Sequence, residues 1–100
     1  MAKILLLDDD VKLATVVKEA LAAEGHVVDH VETGEDALYR LKYHHYDLAV
    51  VDWMLPDIEG VEVCKQYREF GGKIPVIFLT GRTETDHKIE AFDIGADDYL

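Results

Sequence analysis

The sequence predicts an α/β domain, a parallel sheet doubly wound with helices on both faces. Three observations predict it. Short unbroken apolar runs at Ile4 to Leu7, Leu48 to Val51 and Val76 to Leu79 read as strands buried on both faces, as interior strands of parallel sheets are. Segments with apolar residues at helical spacing lie between those runs. Each run then stops at a polar group, Asp8, Asp52 or Thr80. In an open α/β sheet, ligands bind just beyond the carboxyl ends of the strands. The 100 residues form one domain, 1–100, large enough to bury roughly two-thirds of its unfolded surface.

The elements follow in order. Lys3 to Leu7 is the first strand. Asp10 is placed to cap a helix carrying Leu13, Val16, Val17, Ala20 and Leu21 on its inner face, and Gly25 ends it. His26 to Val31 is the second strand. Thr33 caps a second helix, with Asp36 three residues on and Ala37, Leu38 and Leu41 inward. Tyr46 to Asp52 is the third strand, followed by a loop punctuated by Pro56. Gly60 opens a third helix that buries Val61, Cys64, Tyr67 and Phe70, and Gly71-Gly72 closes it. The fourth strand, Val76 to Leu79, ends at Thr80. Thr83 or Thr85 caps a fourth helix with Ile89 and Phe92 inward, Gly95 closes it, and Asp98-Tyr99-Leu100 begins a fifth strand.

Composition removes several function classes. A formal charge of −11 is wrong for a surface that grips nucleic acid or an anionic membrane. No apolar stretch approaches the roughly 20 residues of a membrane helix, and no signal-peptide core follows Met1. Cys64 is the single cysteine, so no disulfide framework exists and a cytoplasmic location is expected. Cys64 itself reads as a small core residue on a helix. The five histidines show no metal-ligand spacing, and His44-His45 is expected to be exposed at a helix end.

The chemistry sits at the strand ends. In a parallel sheet Asp8-Asp9, Asp52 and Thr80 fall on one edge, and the first and third strands are neighbours at the switch point where a crevice opens. Taken singly, Asp8-Asp9-Asp10 reads as helix capping, Thr80-Gly81 as a turn, and Asp57 and Glu59 as solvated loop residues. Taken together, carboxylates brought that close repel. They favour protonation of one member or recruitment of a hard divalent cation such as Mg²⁺. Such a site is built for phosphoryl transfer, with a carboxylate as nucleophile and a hydroxyl to hold a phosphoryl oxygen.

The stretches Ile4 to Asp10, Val51 to Gly60, Pro75 to Thr80 and Gly95 to Leu100 resemble, in order, the receiver domain of two-component response regulators. The resemblance implies the flavodoxin-like (CheY-like) fold with strand order 2-1-3-4-5. It implies that Asp52 takes a phosphoryl group from the phosphohistidine of a cognate sensor histidine kinase. Asp8 and Asp9 then match the acidic pair, the second binding Mg²⁺ directly and the first mainly through water. Asp52 and the Met54 backbone carbonyl complete the metal ligands. Thr80 matches the switch hydroxyl, Tyr99 the switch aromatic, and Gly81 the small residue that admits the phosphoryl group. The tail Asp93 to Leu100 resembles the OmpR/PhoB class, whose receivers precede a winged-helix DNA-binding domain. Lys88, Asp97 and Asp98 match the face through which that class dimerises. DNA is thus expected as a partner only through a separate output domain, and no membrane partner is expected.

The family continues with a Lys-Pro pair that this chain does not reach. The expectation is therefore a truncated receiver, lacking most of the fifth strand and the fifth helix, prone to self-association and slow to be phosphorylated. Two other functions compete with the phosphoacceptor reading. Mg²⁺-dependent hydrolases that use an aspartyl phosphate place a second Asp two positions after the nucleophile, where this chain has Met54. A receiver fold used only for binding would not need Asp8, Asp9, Asp52 and Thr80 together. The chain is accordingly read as a signalling domain and not an enzyme, although one that catalyses its own phosphorylation and dephosphorylation.

Overall fold

A computed structural model describes residues 1–53, 55–79 and 98–99. Its elements are β1 (Lys3–Leu7), α1 (Val11–Ala23), β2 (Val27–Val31), α2 (Gly34–Tyr43), β3 (Leu48–Asp52), α3 (Gly60–Glu69), β4 (Val76–Leu79) and β5 (Asp98–Tyr99). The strands form one parallel sheet in the order β2-β1-β3-β4-β5. This is the flavodoxin-like order expected from the sequence. The expected fourth helix, with Thr83 or Thr85 as cap and Ile89 and Phe92 inward, lies outside the described residues, as does its closing Gly95.

Strand pleating explains why the apolar runs do not alternate. Successive side chains leave a strand on opposite faces, so a sheet covered on both faces needs apolar residues at every position. Leu5 and Leu7 enter one core with Ala49, Val51 and Phe78, roofed by Ala37 of α2 and by Val63 and Cys64 of α3. Ile4 and Leu6 enter the other with Val28 and Val50, roofed by Ala14 of α1. Burying each such Leu or Ile side chain is worth roughly 1.5–3 kcal/mol.

The helix boundaries follow local chemistry. The Asp10 carboxylate accepts from Leu13 N at the start of α1, and Thr33 Oγ1 accepts from Asp36 N at the start of α2. Gly25 and Gly71 follow α1 and α3 with φ of +90° and +96°, a left-handed turn that residues with a Cβ avoid.

Several details differ from the sequence reading. On α1 the residues facing the sheet are Ala14, Val17 and Leu21, spaced i, i+3 and i+7, whereas Leu13 and Val16 are 44% and 63% exposed. Leu13 and Ala14 lie about 100° apart around the helix, and the small Ala14 allows the closer approach to β1. Ala20 is exposed as well. Phe70 is 44% exposed, because it follows the last turn of α3; its ring meets that of Tyr67 edge to face, with centroids 5.4 Å apart. Strands β2 and β3 start at Val27 and Leu48, later than the expected His26 and Tyr46. The His26 ring accepts from Ala2 N, and Tyr46 donates its hydroxyl to Asp29 at 2.8 Å before the ladder begins.

Candidate functional site

Register places the site. Leu7 of β1 pairs with Val51 of β3, so the next residues along each strand, Asp8 and Asp52, emerge side by side at the carboxyl edge. One carboxylate oxygen from each of Asp8, Asp9 and Asp52 lies within 4.8 Å of the others. The strand ends thus converge as expected, while Asp10 stays out of the cluster and caps α1.

Asp8 is held on every side but one. Its amide donates to Val31 O at 3.1 Å, and its Oδ1 accepts from Asp10 N at 2.9 Å. Its carbonyl lies 2.7 Å from His30 Nε2. A carbonyl can only accept, so Nε2 carries the proton of that bond. Oδ2 is buried, with no hydrogen-bond partner among the described residues. Burial pushes the Asp8 carboxyl above its ordinary value. The Asp10 amide pulls it down, the charges of Asp9 and Asp10 push it up, and His30 opposes them. An orphaned buried carboxylate oxygen beside two further carboxylates is electrostatically incomplete, and a positive charge or a proton completes it. The all-oxygen donor set, with Asp9 exposed and Asp52 half-buried so that water can reach it, fits a hard cation such as Mg²⁺.

Close packing fixes Asp52 from behind. Gly60 donates its amide to Trp53 O at 2.8 Å, and a Cβ at Gly60 would overlap the Asp52 carbonyl oxygen. Only glycine lets α3 start so near the strand end. Trp53 is 4% exposed, with its ring 5.2 Å from Phe78, so a fluorophore sits next to the cluster in a rigid setting.

Asp57 corrects the sequence reading. It is exposed, but its two carboxylate oxygens accept from Gly34 N and Glu35 N, both at 2.9 Å. Burial acts to raise its carboxyl, and the amides of Gly34, Glu35, Ile58 and Asp57 itself outweigh that and hold it below the ordinary value. Glu59 remains a solvated loop residue without a side-chain cap bond. Sequence reasoning missed both Asp57 and His30, whose partners lie 23 and 22 residues away. The available hint was that Gly34 and Glu35 open a helix whose first amides needed acceptors.

Among the described residues the acidic trio is the one group of metal-ligating side chains that converges, and no histidine joins it. Met54, Thr80, Gly81, Lys88 and Asp97 lie outside the described residues. For Asp98 and Tyr99 the backbone alone is described, paired with β4 through Ile77↔Asp98 and Phe78↔Tyr99. Cys64 is a buried core residue, and His44 and His45 are exposed after α2, as expected.

Fold and pocket define a class: a parallel α/β domain with an all-oxygen acidic site at its switch point. The response regulator receiver domain family matches residues 4–100, and the chain belongs to that family. The response regulator RppA of Synechocystis is 41% identical over 100 residues, which cover 98% of this chain and 43% of that protein. The chain therefore spans less than half the length of this curated relative. The receiver domain of Francisella response regulator 1452 superposes with a TM-score of 0.95 at 35% identity, covering 100% of this chain and 83% of that one. The response regulator TrrA of Thermotoga maritima, solved in complex with Mg²⁺ and BeF, superposes with a TM-score of 0.90 at 32% identity, covering 100% and 85%.

Proposed function

We propose that this receiver domain accepts a phosphoryl group on Asp52 from the phosphohistidine of a sensor histidine kinase and switches conformation to control an output. The observation that carries the proposal is the convergence of Asp8, Asp9 and Asp52 around an orphaned, buried carboxylate oxygen. A carboxylate oxygen of Asp52 attacks phosphorus, the P–N bond to the donor imidazole breaks, and the imidazole nitrogen leaves with the bond's electron pair. Asp8 and Asp9, with Asp52 and the Met54 carbonyl, would hold Mg²⁺, which when bound neutralises charge gathered on the phosphoryl oxygens. The backbone of Asp52 is held by the close approach of Gly60 to its carbonyl oxygen. Gly81 leaves room for the phosphoryl group, and Thr80 donates its hydroxyl to a phosphoryl oxygen. The space Thr80 vacates is filled by Tyr99, which biases a two-state surface around the fourth helix.

On this reading the chain is not an enzyme turning over a separate substrate. It catalyses only its own phosphorylation and dephosphorylation. The resemblance of its tail to the OmpR/PhoB class supports a transcription-regulating output through a winged-helix domain in the longer protein, with pairing of two receivers through Lys88, Asp97 and Asp98. A cytoplasmic location accords with that role. No helix among the described residues is long and apolar enough to cross a membrane.

Labelling with acetyl phosphate tests the chemistry. Mg²⁺-dependent formation of an acyl phosphate, detected by mass and released by hydroxylamine, is expected in the parent chain and absent in Asp52→Asn. Labelling that persists in Asp52→Asn would overturn the assignment. Mg²⁺ binding without any labelling would favour a receiver fold used for binding alone.

A further inference from the structure

Resting on the receiver reading, we propose that Asp57 is a positioning residue for the acidic pocket, tying the loop that leaves Asp52 to the first turn of α2. The loop between β3 and α3 departs from Asp52 at the pocket and returns at Gly60. Its base is closed by the bond from Gly60 N to Trp53 O. Its far side is held by Asp57, one carboxylate oxygen on each of two successive amides, Gly34 N and Glu35 N, at 2.9 Å. The neighbouring Ile58 reinforces the tie, because its side chain fills the space that a Cβ at Gly34 would need. Loop and helix are therefore joined by two charge-assisted hydrogen bonds and by close packing.

A cap contributed from so distant a residue is more than a means of satisfying α2. Thr33 already caps that helix through Asp36 N, and the amide of the exposed Glu35 would otherwise be available to water. The Asp57 side chain instead restricts the loop. Pro56, Asp57 and Glu59 are all exposed, so core packing restrains the loop only through the partly buried Leu55 and Ile58. Without the tie, cation binding must order a freer loop, and affinity falls. Partners that orient metal ligands from behind typically matter by roughly 10-fold or more in metal affinity.

The test follows Trp53 fluorescence of the full chain during Mg²⁺ titration in the parent protein, Asp57→Ala, Asp57→Asn and Glu59→Gln. Glu59→Gln removes one charge from the same loop without removing a side-chain cap bond. The expected result is a Kd for Mg²⁺ raised about 10-fold in Asp57→Ala, less in Asp57→Asn, which keeps one acceptor oxygen, and under about 2-fold in Glu59→Gln. Equal losses in Asp57→Ala and Glu59→Gln would reduce the effect to charge and overturn the proposal. An unchanged Kd with a lower urea midpoint would do the same, leaving Asp57 as a helix cap only. Should Asp57→Ala not fold, Asp57→Asn against Glu59→Gln makes the same comparison. Amide exchange in EDTA separates this proposal from the receiver reading. Faster exchange at Gly60, whose amide bonds Trp53 O, as well as at Gly34 and Glu35 in Asp57→Ala supports the tie, and faster exchange confined to Gly34, Glu35 and Ile58, whose amides Asp57 itself holds, refutes it. A parent chain that gives no saturable Mg²⁺ response counts against the receiver reading, while the exchange data still decide whether the loop is tied.

Discussion

Replacing Asp8 with Asn is expected to stabilise the metal-free protein and to abolish its stabilisation by Mg²⁺. Asp8 is 1% exposed, its Oδ2 lacks a partner among the described residues, and carboxylates of Asp9 and Asp52 approach within 4.8 Å. At 4.8 Å two unit charges repel by about 0.9 kcal/mol in water and by about 3.5 kcal/mol at an effective dielectric constant of about 20. Asp9 is exposed and Asp52 half-buried, so solvent brings each pair toward the lower figure. Asp8→Asn removes two such pairs. It keeps an oxygen for the Asp10 amide and places an N–H donor where Oδ2 was. A net gain of about 1–2 kcal/mol follows.

The pH dependence has a definite sign. Burial raises the Asp8 carboxyl above its ordinary value of 3.8, so the native state keeps this proton where the unfolded chain has released it. Asp8 therefore makes stability fall as pH climbs from about 3.8 through the raised native value, after which the penalty is constant. Asn removes that slope. Urea unfolding followed by Trp53 fluorescence at neutral pH, in EDTA and in excess Mg²⁺, measures both effects. Mg²⁺ at about 100 times its Kd adds about 2.7 kcal/mol to the parent chain. The reasoning fails if Asp8→Asn is less stable than the parent in EDTA, or if it keeps the Mg²⁺ gain.

Three further outcomes are expected. Gly60→Ala drives a Cβ into the Asp52 carbonyl, which costs about 1–3 kcal/mol and slows acyl-phosphate formation; a variant with parental melting and labelling would refute the contact. Tyr46→Phe deletes the 2.8 Å bond to Asp29 and leaves that carboxylate the Arg40 guanidinium at 3.8 Å, for a loss of about 1–3 kcal/mol in urea unfolding; parental stability would show the bond contributes nothing. Asp57 acts opposite to Asp8. Its carboxyl is held below 3.8, so it stabilises the fold at neutral pH, and that contribution is lost as pH falls through its native value. Asp57→Asn should flatten the acid limb of the stability profile, and an unchanged acid limb would count against the clamp.

The sequence by itself determined the alternation of strands and helices, the buried character of β1, β3 and β4, the caps at Asp10 and Thr33, and the strand-end carboxylates. All of these are local: an unbroken apolar run, a helical period or a capping side chain acts within a few residues. The tertiary structure alone decided which face of α1 meets the sheet, since Leu13 and Val16 are as apolar as Val17 and Leu21 and differ only in direction. It also decided that Asp57 serves α2 and that His30 holds the Asp8 carbonyl, because those partners become neighbours only when the parallel crossovers bring distant strand ends to one edge. The acidic pocket belongs to both levels. Its residue types were legible at the ends of the apolar runs, but their separation of less than 4.8 Å exists only because Leu7 and Val51 share a register.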